Sequence, residues 1–188
     1  MAQQIFLVRH GETEWSRTGQ HTGRTDMPLT AEGQASAQAI GEFLKGNNLS
    51  VRTSPLSRAR ETCRLAGLAD RAVIDDDLVE WDYGVYEGRT TLDIRKENPA
   101  WSIWLSPITS GESLDEVAAR AQQVIGRATA EGGDVALFAH GHILRILAAC
   151  WIGLPPITGR YLALDTATIS VLSYERQTRV IRHWNVVP

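Results

Sequence analysis

Two short runs of consecutive apolar residues stand out in the hydrophobic pattern of this chain. They occupy residues 5–8 and 135–139, and each leads directly into polar residues and a glycine. Unbroken apolar runs of this length are typical of strands buried on both faces of a mostly parallel sheet. Because the runs precede His10 and His140, two parallel neighbouring strands would bring both histidines to the same edge of the sheet.

Helical periodicity fills much of the chain between these strands. The expected helices begin near residues 31, 55, 114 and 143, and further strands are expected at 49–53 and, as a hairpin, at 168–174 and 180–184. Strands that alternate with helices indicate an α/β fold. We therefore expect a three-layer α/β/α sandwich whose mostly parallel central sheet carries an antiparallel edge.

Local signals indicate where three of these helices begin. Thr30 and Ser113 each precede a helical segment and are expected to be N-caps, and Ser113 opens a capping-box pattern. Ser54 is expected to cap the helix over residues 55–65, because Pro55 suits the first helical position.

Two other segments are interpreted from composition and spacing. Residues 16–28 are rich in glycine and polar residues without periodicity, which predicts a long loop over the end of the first strand. Trp101 and Trp104 are three residues apart and are expected on one face of a helix, either in the core or at the rim of a pocket.

Composition narrows the class of protein. The 188 residues, of which 43% are hydrophobic, suit a single domain over residues 1–188. The net charge of -3 argues against general nucleic-acid or membrane-surface binding. Cys63 and Cys150 lie at apolar helical positions, and the chain shows neither a signal-peptide pattern nor an apolar run of membrane-spanning length. We expect a cytoplasmic protein, and nothing in the sequence specifies its oligomeric state.

The residues after the first strand carry the groups that phosphate chemistry needs. Arg9 supplies a cation, His10 a nucleophilic nitrogen, and Gly11 an unobstructed approach of the backbone. A surface turn that contains a histidine is the alternative for these residues alone. Arg58 lies in the first turn of a predicted helix, where its positive charge interacts unfavourably with the helix macrodipole. Either a bound anion or screening by salt would offset this cost.

Residues 80–88 combine carboxylates with aromatic residues and glycines. Such a stretch is usually a solvated loop, but it can also hold a general acid in a partly apolar pocket. Glu80 is the candidate proton donor, and Asp82 is its alternative. With two histidines and two arginines, this acid would suit phosphoryl transfer through a phosphohistidine, in which it protonates the leaving alkoxide.

The sequence resembles the histidine phosphatase superfamily, which also contains the cofactor-dependent phosphoglycerate mutases. The matching motifs follow one another along nearly the whole chain. They are residues 9–15, residues 22–26 with 29, 30 and 33, residues 54 and 55 with 58, 59 and 62, and residues 80–88, 111–113 and 140–142.

The resemblance implies a role for each matching residue. His10 would accept the phosphate, Glu80 would donate the proton, and Arg9, Arg58 and His140 would form the phosphate pocket. Four further residues would contact phosphate or substrate, namely Thr22, Gly23, Tyr83 and Gly141. Ser16 belongs to this contact set as well, at a position where the mutases have asparagine.

Within the superfamily, residues 19–26 and 80–88 are most similar to small phosphatases. This subgroup includes sedoheptulose-1,7-bisphosphatase and mycobacterial acid-phosphatase-like proteins. Mutases typically carry extra chain between the acidic segment and the second histidine, and that segment is short in this sequence. The resemblance therefore implies a phosphatase without metal or cofactor that acts on a small phosphorylated metabolite, such as a sugar phosphate or bisphosphate.

Three other functions are kept as alternatives. A phosphoglycerate mutase-type phosphotransferase would return the phosphate to a second hydroxyl. A non-catalytic module that binds phosphorylated ligands would need the arginines but not both His10 and Glu80. A metal hydrolase could use His140 and His142, although two histidines at this spacing are a weak signal without a compact set of further ligands. For His142 we expect an orienting or structural role.

Overall fold

The computed structural model describes residues 2–188, so Met1, the first residue of the expected domain, lies outside the described residues. Strands and helices alternate through the first three quarters of the chain, and a hairpin closes it. The strands are β1 (Ile5–Arg9), β2 (Ser50–Thr53), β3 (Ala72–Ile74), β4 (Val135–Ala139), β5 (Ile169–Glu175) and β6 (Thr178–Val186). The helices are α1 (Glu14–Thr18), α2 (Ala31–Leu44), α3 (Ser57–Leu65), α4 (Thr91–Glu97), α5 (Leu114–Ala130) and α6 (Gly141–Trp151).

The six strands form one sheet in the order β3-β2-β4-β1-β5-β6. The first four strands in this order are parallel, β5 runs antiparallel to β1, and β6 runs antiparallel to β5. The expected mostly parallel sheet with an antiparallel edge is therefore confirmed.

The side chains of the sheet alternate between two apolar layers. Leu7 and Leu137 face α5 and α6, whereas Val8 and Phe138 face α2 and α3. All five residues of β4 are buried, as a strand covered by helices on both faces requires. The three-layer sandwich is confirmed.

The pairing of β1 with β4 places the two histidines. The strands pair in register from Ile5 with Val135 to Arg9 with Ala139, and the next residues along the two strands are His10 and His140. The backbone N–H of His10 donates to the carbonyl oxygen of Ala139 at 3.0 Å, which extends the ladder to the histidine itself. Both side chains consequently lie at the carboxyl edge of the sheet.

Two of the predicted helix caps are confirmed. The Thr30 hydroxyl accepts a hydrogen bond from the Gly33 N–H at 3.0 Å, and Ser113 forms a reciprocal capping box with Glu116. The third prediction is wrong, because α3 begins at Ser57 and Ser54 is not its cap. The Asp26 carboxylate, which comes from the preceding loop, accepts from the Ser57 N–H at 3.0 Å and occupies the capping position that Ser54 was expected to fill.

Two loop and helix predictions also need correction. The segment predicted as a loop over 16–28 begins inside α1, because Thr13 and Ser16 cap that short helix reciprocally. Trp101 and Trp104 lie in a non-helical turn that follows Pro99, since α4 ends at Glu97. Trp101 is buried and Trp104 is half-buried, so the two rings have different surroundings.

Close backbone contacts at Gly33 generate a stability prediction. A Cβ at Gly33 would lie 2.2 Å from the carbonyl oxygen of Glu12, whereas a Cβ at Gly126 in α5 would meet no atom within 4 Å. We expect Gly33→Ala to lower the free energy of unfolding by about 1 to 3 kcal/mol through overpacking. Gly126→Ala, the matched control, should raise it by about 0.5 to 1 kcal/mol. Urea unfolding measures both, and equal effects of the two substitutions would contradict the tight contact.

Candidate active site

A polar cavity of about 200 Å³ opens at the carboxyl ends of β1 and β4. Its lining consists of Arg9, His10, Ser16, Gly19, Gln20, His21, Thr22, Glu80, Tyr83, Gly141, His142, Arg145 and Leu164. A larger groove of about 580 Å³ lies beside α3 and the edge strand β3, but none of the predicted catalytic residues lines it. The chemistry therefore points to the smaller cavity.

The His10 ring is fixed in one tautomer. Its Nδ1 lies 2.7 Å from the carbonyl oxygen of Gly11, which can only accept, so Nδ1 carries the proton. Nε2 consequently keeps its lone pair. Burial, followed by the positive charges of Arg58 and Arg9, holds the pKa of His10 well below its ordinary value of 6.5. The ring is therefore neutral at neutral pH, with an available lone pair on Nε2.

Gly11 allows the turn after β1 to pack closely between α2 and α3. Its N–H donates to the Thr62 hydroxyl of α3 at 3.0 Å, and a Cβ at Gly11 would lie 2.3 Å from the carbonyl oxygen of Gly33 in α2. A larger residue would push the turn out of this contact. The glycine thus sets the position of the carbonyl group that holds His10.

Arg9 presents an unpaired donor beside this ring. One terminal nitrogen donates to the carbonyl oxygen of Leu164, and the buried Nε has no hydrogen-bond partner among residues 2–188. A Cβ at Gly141 would lie 3.4 Å from the guanidinium carbon of Arg9, which is van der Waals contact, so Gly141 lies directly beside the Arg9 side chain. A buried charged donor without a partner is costly unless a ligand pairs with it.

Arg58 and His140 are both fully buried next to the cavity and are hydrogen-bonded to each other. Arg58 Nε donates to His140 Nδ1 at 3.0 Å. The terminal nitrogens of Arg58 donate to the carbonyl oxygens of Thr22, Gly23 and Thr25 at 2.8 to 3.1 Å. The arginine thereby ties the loop over 22–25 to the second histidine, and neither Arg58 nor His140 lines the cavity directly.

The rings of His10 and His140 face one another across a short gap. The ring centroids of His10 and His140 are 5.2 Å apart, with the planes tilted by 58°. Burial, followed by the charge of Arg58, holds the pKa of His140 well below its ordinary value. Both imidazoles are consequently neutral in the resting protein.

Glu80 lies at the N-terminus of α6, where backbone donors surround its carboxylate. One oxygen accepts from the N–H groups of Trp81 and Ile143, and the other accepts from the N–H of His142, each at 2.9 Å. The side chain is buried but still lines the cavity that contains His10. Asp82 is directed elsewhere, since it accepts from the Gly84 N–H and lies 3.7 Å from Arg24.

The expected contact residues fall into two groups. Ser16, Thr22, Tyr83 and Gly141 line the cavity, whereas Gly23 lies behind it, where its carbonyl oxygen accepts from Arg58. A Cβ at Gly23 would lie 2.4 Å from the backbone carbonyl oxygen of Trp81 and 2.1 Å from a carboxylate oxygen of Glu87, so only glycine fits there. The Glu87 carboxylate also accepts from the N–H groups of Arg24 and Thr25 and fixes the loop from the other side.

Tyr83 and His142 form a buried pair on the far wall of the cavity. The Tyr83 hydroxyl and His142 Nδ1 share a hydrogen bond of 2.6 Å. Burial raises the pKa of Tyr83 well above its ordinary value and lowers that of His142 well below it, so both groups are uncharged. The backbone N–H of His142 also holds Glu80, which fits the orienting or structural role expected for this residue.

Sequence reasoning missed two residues of this site. Arg145 lines the cavity one turn after His142 in α6, and its guanidinium stacks 4.8 Å from the centroid of the Trp104 ring. Ser54 contacts the second histidine instead of capping a helix. The position of Arg145 three residues after His142 was the available signal, since residues at this spacing share a helix face.

Comparisons with known proteins show what this chain is similar to. The model of the histidine phosphatase superfamily (branch 1) matches residues 5–187. An acid phosphatase of Mycobacterium tuberculosis is 38% identical over 180 residues, covering 93% of this chain and 88% of the relative. Sedoheptulose 1,7-bisphosphatase of Saccharomyces cerevisiae is also 38% identical, over 82% of this chain and 69% of the relative. A probable phosphoglycerate mutase of Enterobacter sp. is 31% identical over 97% of this chain and 90% of its own length.

The fold is also that of a solved structure. The structure of an open reading frame of Mycobacterium tuberculosis superposes with a TM-score of 0.93 at 35% sequence identity and covers 98% of both chains. In the part of the chain that the structure describes, no helix is long and apolar enough to cross a membrane.

The buried histidines predict how stability depends on pH. Burial lowers the pKa of His21 to about 4 from an ordinary 6.5. Between these values the unfolded chain binds more protons, so stability falls as the pH drops, by up to about 1.4 kcal/mol per pH unit for this group. We expect His21→Gln to unfold with a shallower pH dependence than the wild type across this window.

The exposed His183 on β6 provides the matched control. Urea unfolding of His183→Gln is measured over the same pH range and shows the effect of losing an imidazole that is exposed in the fold. If His21→Gln kept the wild-type slope, His21 would not be held neutral by burial.

Proposed function

The chain belongs to the histidine phosphatase superfamily, and on that basis we propose that it hydrolyses phosphomonoesters through a phosphohistidine formed on His10. The observation that carries this proposal is the state of the His10 ring. Its Nδ1–H is bonded to Gly11, its Nε2 lone pair is free, and Arg9, whose Nε has no partner among residues 2–188, lines the same cavity. A nucleophile and an anion-binding donor thus face one small space.

The first step would transfer the phosphoryl group from substrate to protein. Nε2 of His10 forms a bond to phosphorus as the bond from phosphorus to the ester oxygen breaks. Arg9 would neutralise part of the charge on the equatorial oxygens, and Arg58, His140 and Gly141 would complete the pocket. Glu80, in its carboxylic acid form, would give its proton to the leaving oxygen.

The second step would release phosphate. A water molecule gives a proton to the Glu80 carboxylate and attacks phosphorus, while the bond to His10 Nε2 breaks. Inorganic phosphate leaves, and His10 and Glu80 return to their starting protonation states. The N–H groups of Trp81, His142 and Ile143 hold Glu80 in one place for both proton transfers.

The cavity supports a small, polar and anionic substrate. Its volume of about 200 Å³ suits a metabolite, and Leu164 is the one aliphatic residue among those that line it. Ser16, Thr22 and Tyr83 would contact the phosphate or the rest of the substrate. Arg145 adds a cation that suits a second anionic group, which favours a sugar phosphate or bisphosphate, as the name of the yeast relative also does. We expect no nucleic-acid partner, no metal and no cofactor.

A phosphoglycerate mutase-type phosphotransferase is the second candidate, and the similarity to a probable mutase favours it. A mutase would return the phosphoryl group of His10 to another hydroxyl instead of water. Mutase turnover equal to hydrolysis, with strong dependence on 2,3-bisphosphoglycerate, would select this candidate.

Replacement of Glu80 tests the proposal. We expect Glu80→Gln to lower kcat/KM for an alkyl phosphate, such as glycerol phosphate, by about 10² to 10⁴, because a poor leaving group needs the proton. The loss of kcat/KM should be much smaller for p-nitrophenyl phosphate, whose leaving group is stable as an anion. This parameter reports phosphoryl transfer to His10 and not the later attack of water, in which Glu80 also takes part. Steady-state kinetics on the two esters gives the ratio of the two losses directly.

His10→Ala is the null control and should abolish turnover of both esters. The activity of Glu80→Gln on p-nitrophenyl phosphate shows that the variant is folded. Equal losses on the two esters would remove Glu80 as the proton donor, and Asp82→Asn would then be measured in the same way. A wild-type protein that hydrolyses no phosphomonoester would favour a non-catalytic binding module.

A further inference from the structure

Ser54 is a fully buried residue at the end of β2, immediately before the turn into α3. Its hydroxyl oxygen lies 2.8 Å from Nε2 of His140 and 3.3 Å from the backbone nitrogen of Leu56. A residue expected to begin a helix therefore contacts a catalytic ring that lies 86 positions further along the chain.

The directions of these hydrogen bonds are set by Arg58. An arginine guanidinium can only donate, so the bond from Arg58 Nε makes His140 Nδ1 an acceptor. The proton of the neutral ring must then lie on Nε2, which donates to the Ser54 hydroxyl. The hydrogen bonds consequently form a chain in which Arg58 donates to His140 and His140 donates to Ser54.

We propose that Ser54 is a positioning residue, which accepts from Nε2–H of His140 and thereby keeps Nδ1 of that ring as the acceptor for Arg58 Nε. This role rests on the proposed function, in which Arg58 and His140 belong to the phosphate pocket. Nε2 donates to Ser54 and Nδ1 accepts from Arg58 Nε, so both ring nitrogens are paired and the His140 ring is fixed relative to Arg58. The hydrogen bond made by one nitrogen of a histidine decides the state of the other.

The structure around the ring explains why a hydroxyl is needed here. His140 is fully buried, so Nε2–H cannot turn to water if its acceptor is lost. The Leu56 N–H donates to the same oxygen, which links the start of α3 to the ring. Since α3 also carries Arg58, the hydroxyl fixes His140 relative to its second partner.

Ser54→Ala and Ser54→Cys test this role against a purely structural one. Ser173→Ala is the matched control, because Ser173 is also buried and donates to the Gln3 carbonyl oxygen at 2.9 Å, at the opposite edge of the sheet. With p-nitrophenyl phosphate as the probe, kcat of Ser54→Ala should fall on the order of 10-fold to 100-fold, as when the partner of a functional histidine is removed, with a smaller change in KM. Ser54→Cys, a weaker acceptor of similar shape, should lie between Ser54→Ala and the wild type.

Thermal melting separates activity from stability. Ser54→Ala and Ser173→Ala should both lower the melting temperature, but Ser173→Ala should keep the wild-type kcat. A loss of kcat in Ser54→Ala no larger than that in Ser173→Ala would overturn the proposal. If Ser54→Ala does not fold, Ser54→Cys decides, and wild-type kcat in that variant would overturn it equally.

Histidine side-chain NMR gives a readout that does not depend on turnover. In the wild type, the His140 signals, identified by their absence in His140→Gln, should show a pyrrole-type Nε2 and a pyridine-type Nδ1. The proton on Nε2 should lose its downfield shift and exchange faster in Ser54→Ala. A proton found on Nδ1 in the resting wild type would overturn the assignment. If the wild type shows no phosphatase activity, the proposed function fails, while this spectrum still decides how Ser54 acts on His140.

Discussion

A buried guanidinium holds the candidate active site of this protein together. Arg58 is fully buried and donates four hydrogen bonds, three to carbonyl oxygens of the loop over 22–25 and one to His140. A charge in the interior is tolerated only when its donors are paired, so the loop and the histidine must take up positions that satisfy it. Asp26, 3.8 Å away, supplies the opposite charge and also caps α3, the helix that carries Arg58. Fold and site thus depend on the same side chain.

Burial and the arginines together decide the chemical state of the histidines. Burial and the neighbouring positive charges lower the pKa of His10 and His140, so both rings stay neutral. The tautomers are then set by hydrogen bonds to groups that can only accept or only donate. The Gly11 carbonyl oxygen accepts from His10, and Arg58 Nε donates to His140. In the proposed reaction, the result is one lone pair that can attack phosphorus and one ring that supports the phosphoryl group.

The strands and helix caps that depend on residues close together in the chain can be predicted from the sequence. The runs before His10 and His140 indicate two buried parallel strands, and Thr30 and Ser113 are caps because their partners lie three residues away. Ser54 could not be interpreted in this way, since its partner His140 is distant in sequence and Asp26, 31 residues before Ser57, provides the cap instead. The family resemblance identified Arg58 from its motif, but its hydrogen bonds to loop carbonyl oxygens follow only from the packing of α3.

The covalent intermediate is the most direct test of the account. Mixing the wild type with p-nitrophenyl phosphate, quenching in base, where phosphohistidine is stable, and mapping the peptides by mass spectrometry would locate the phosphoryl group. The account predicts one phosphoryl group on the peptide that contains His10, formed during turnover and absent from His10→Ala. Steady hydrolysis with the phosphoryl group on another residue, or undiminished hydrolysis by His10→Ala, would contradict it.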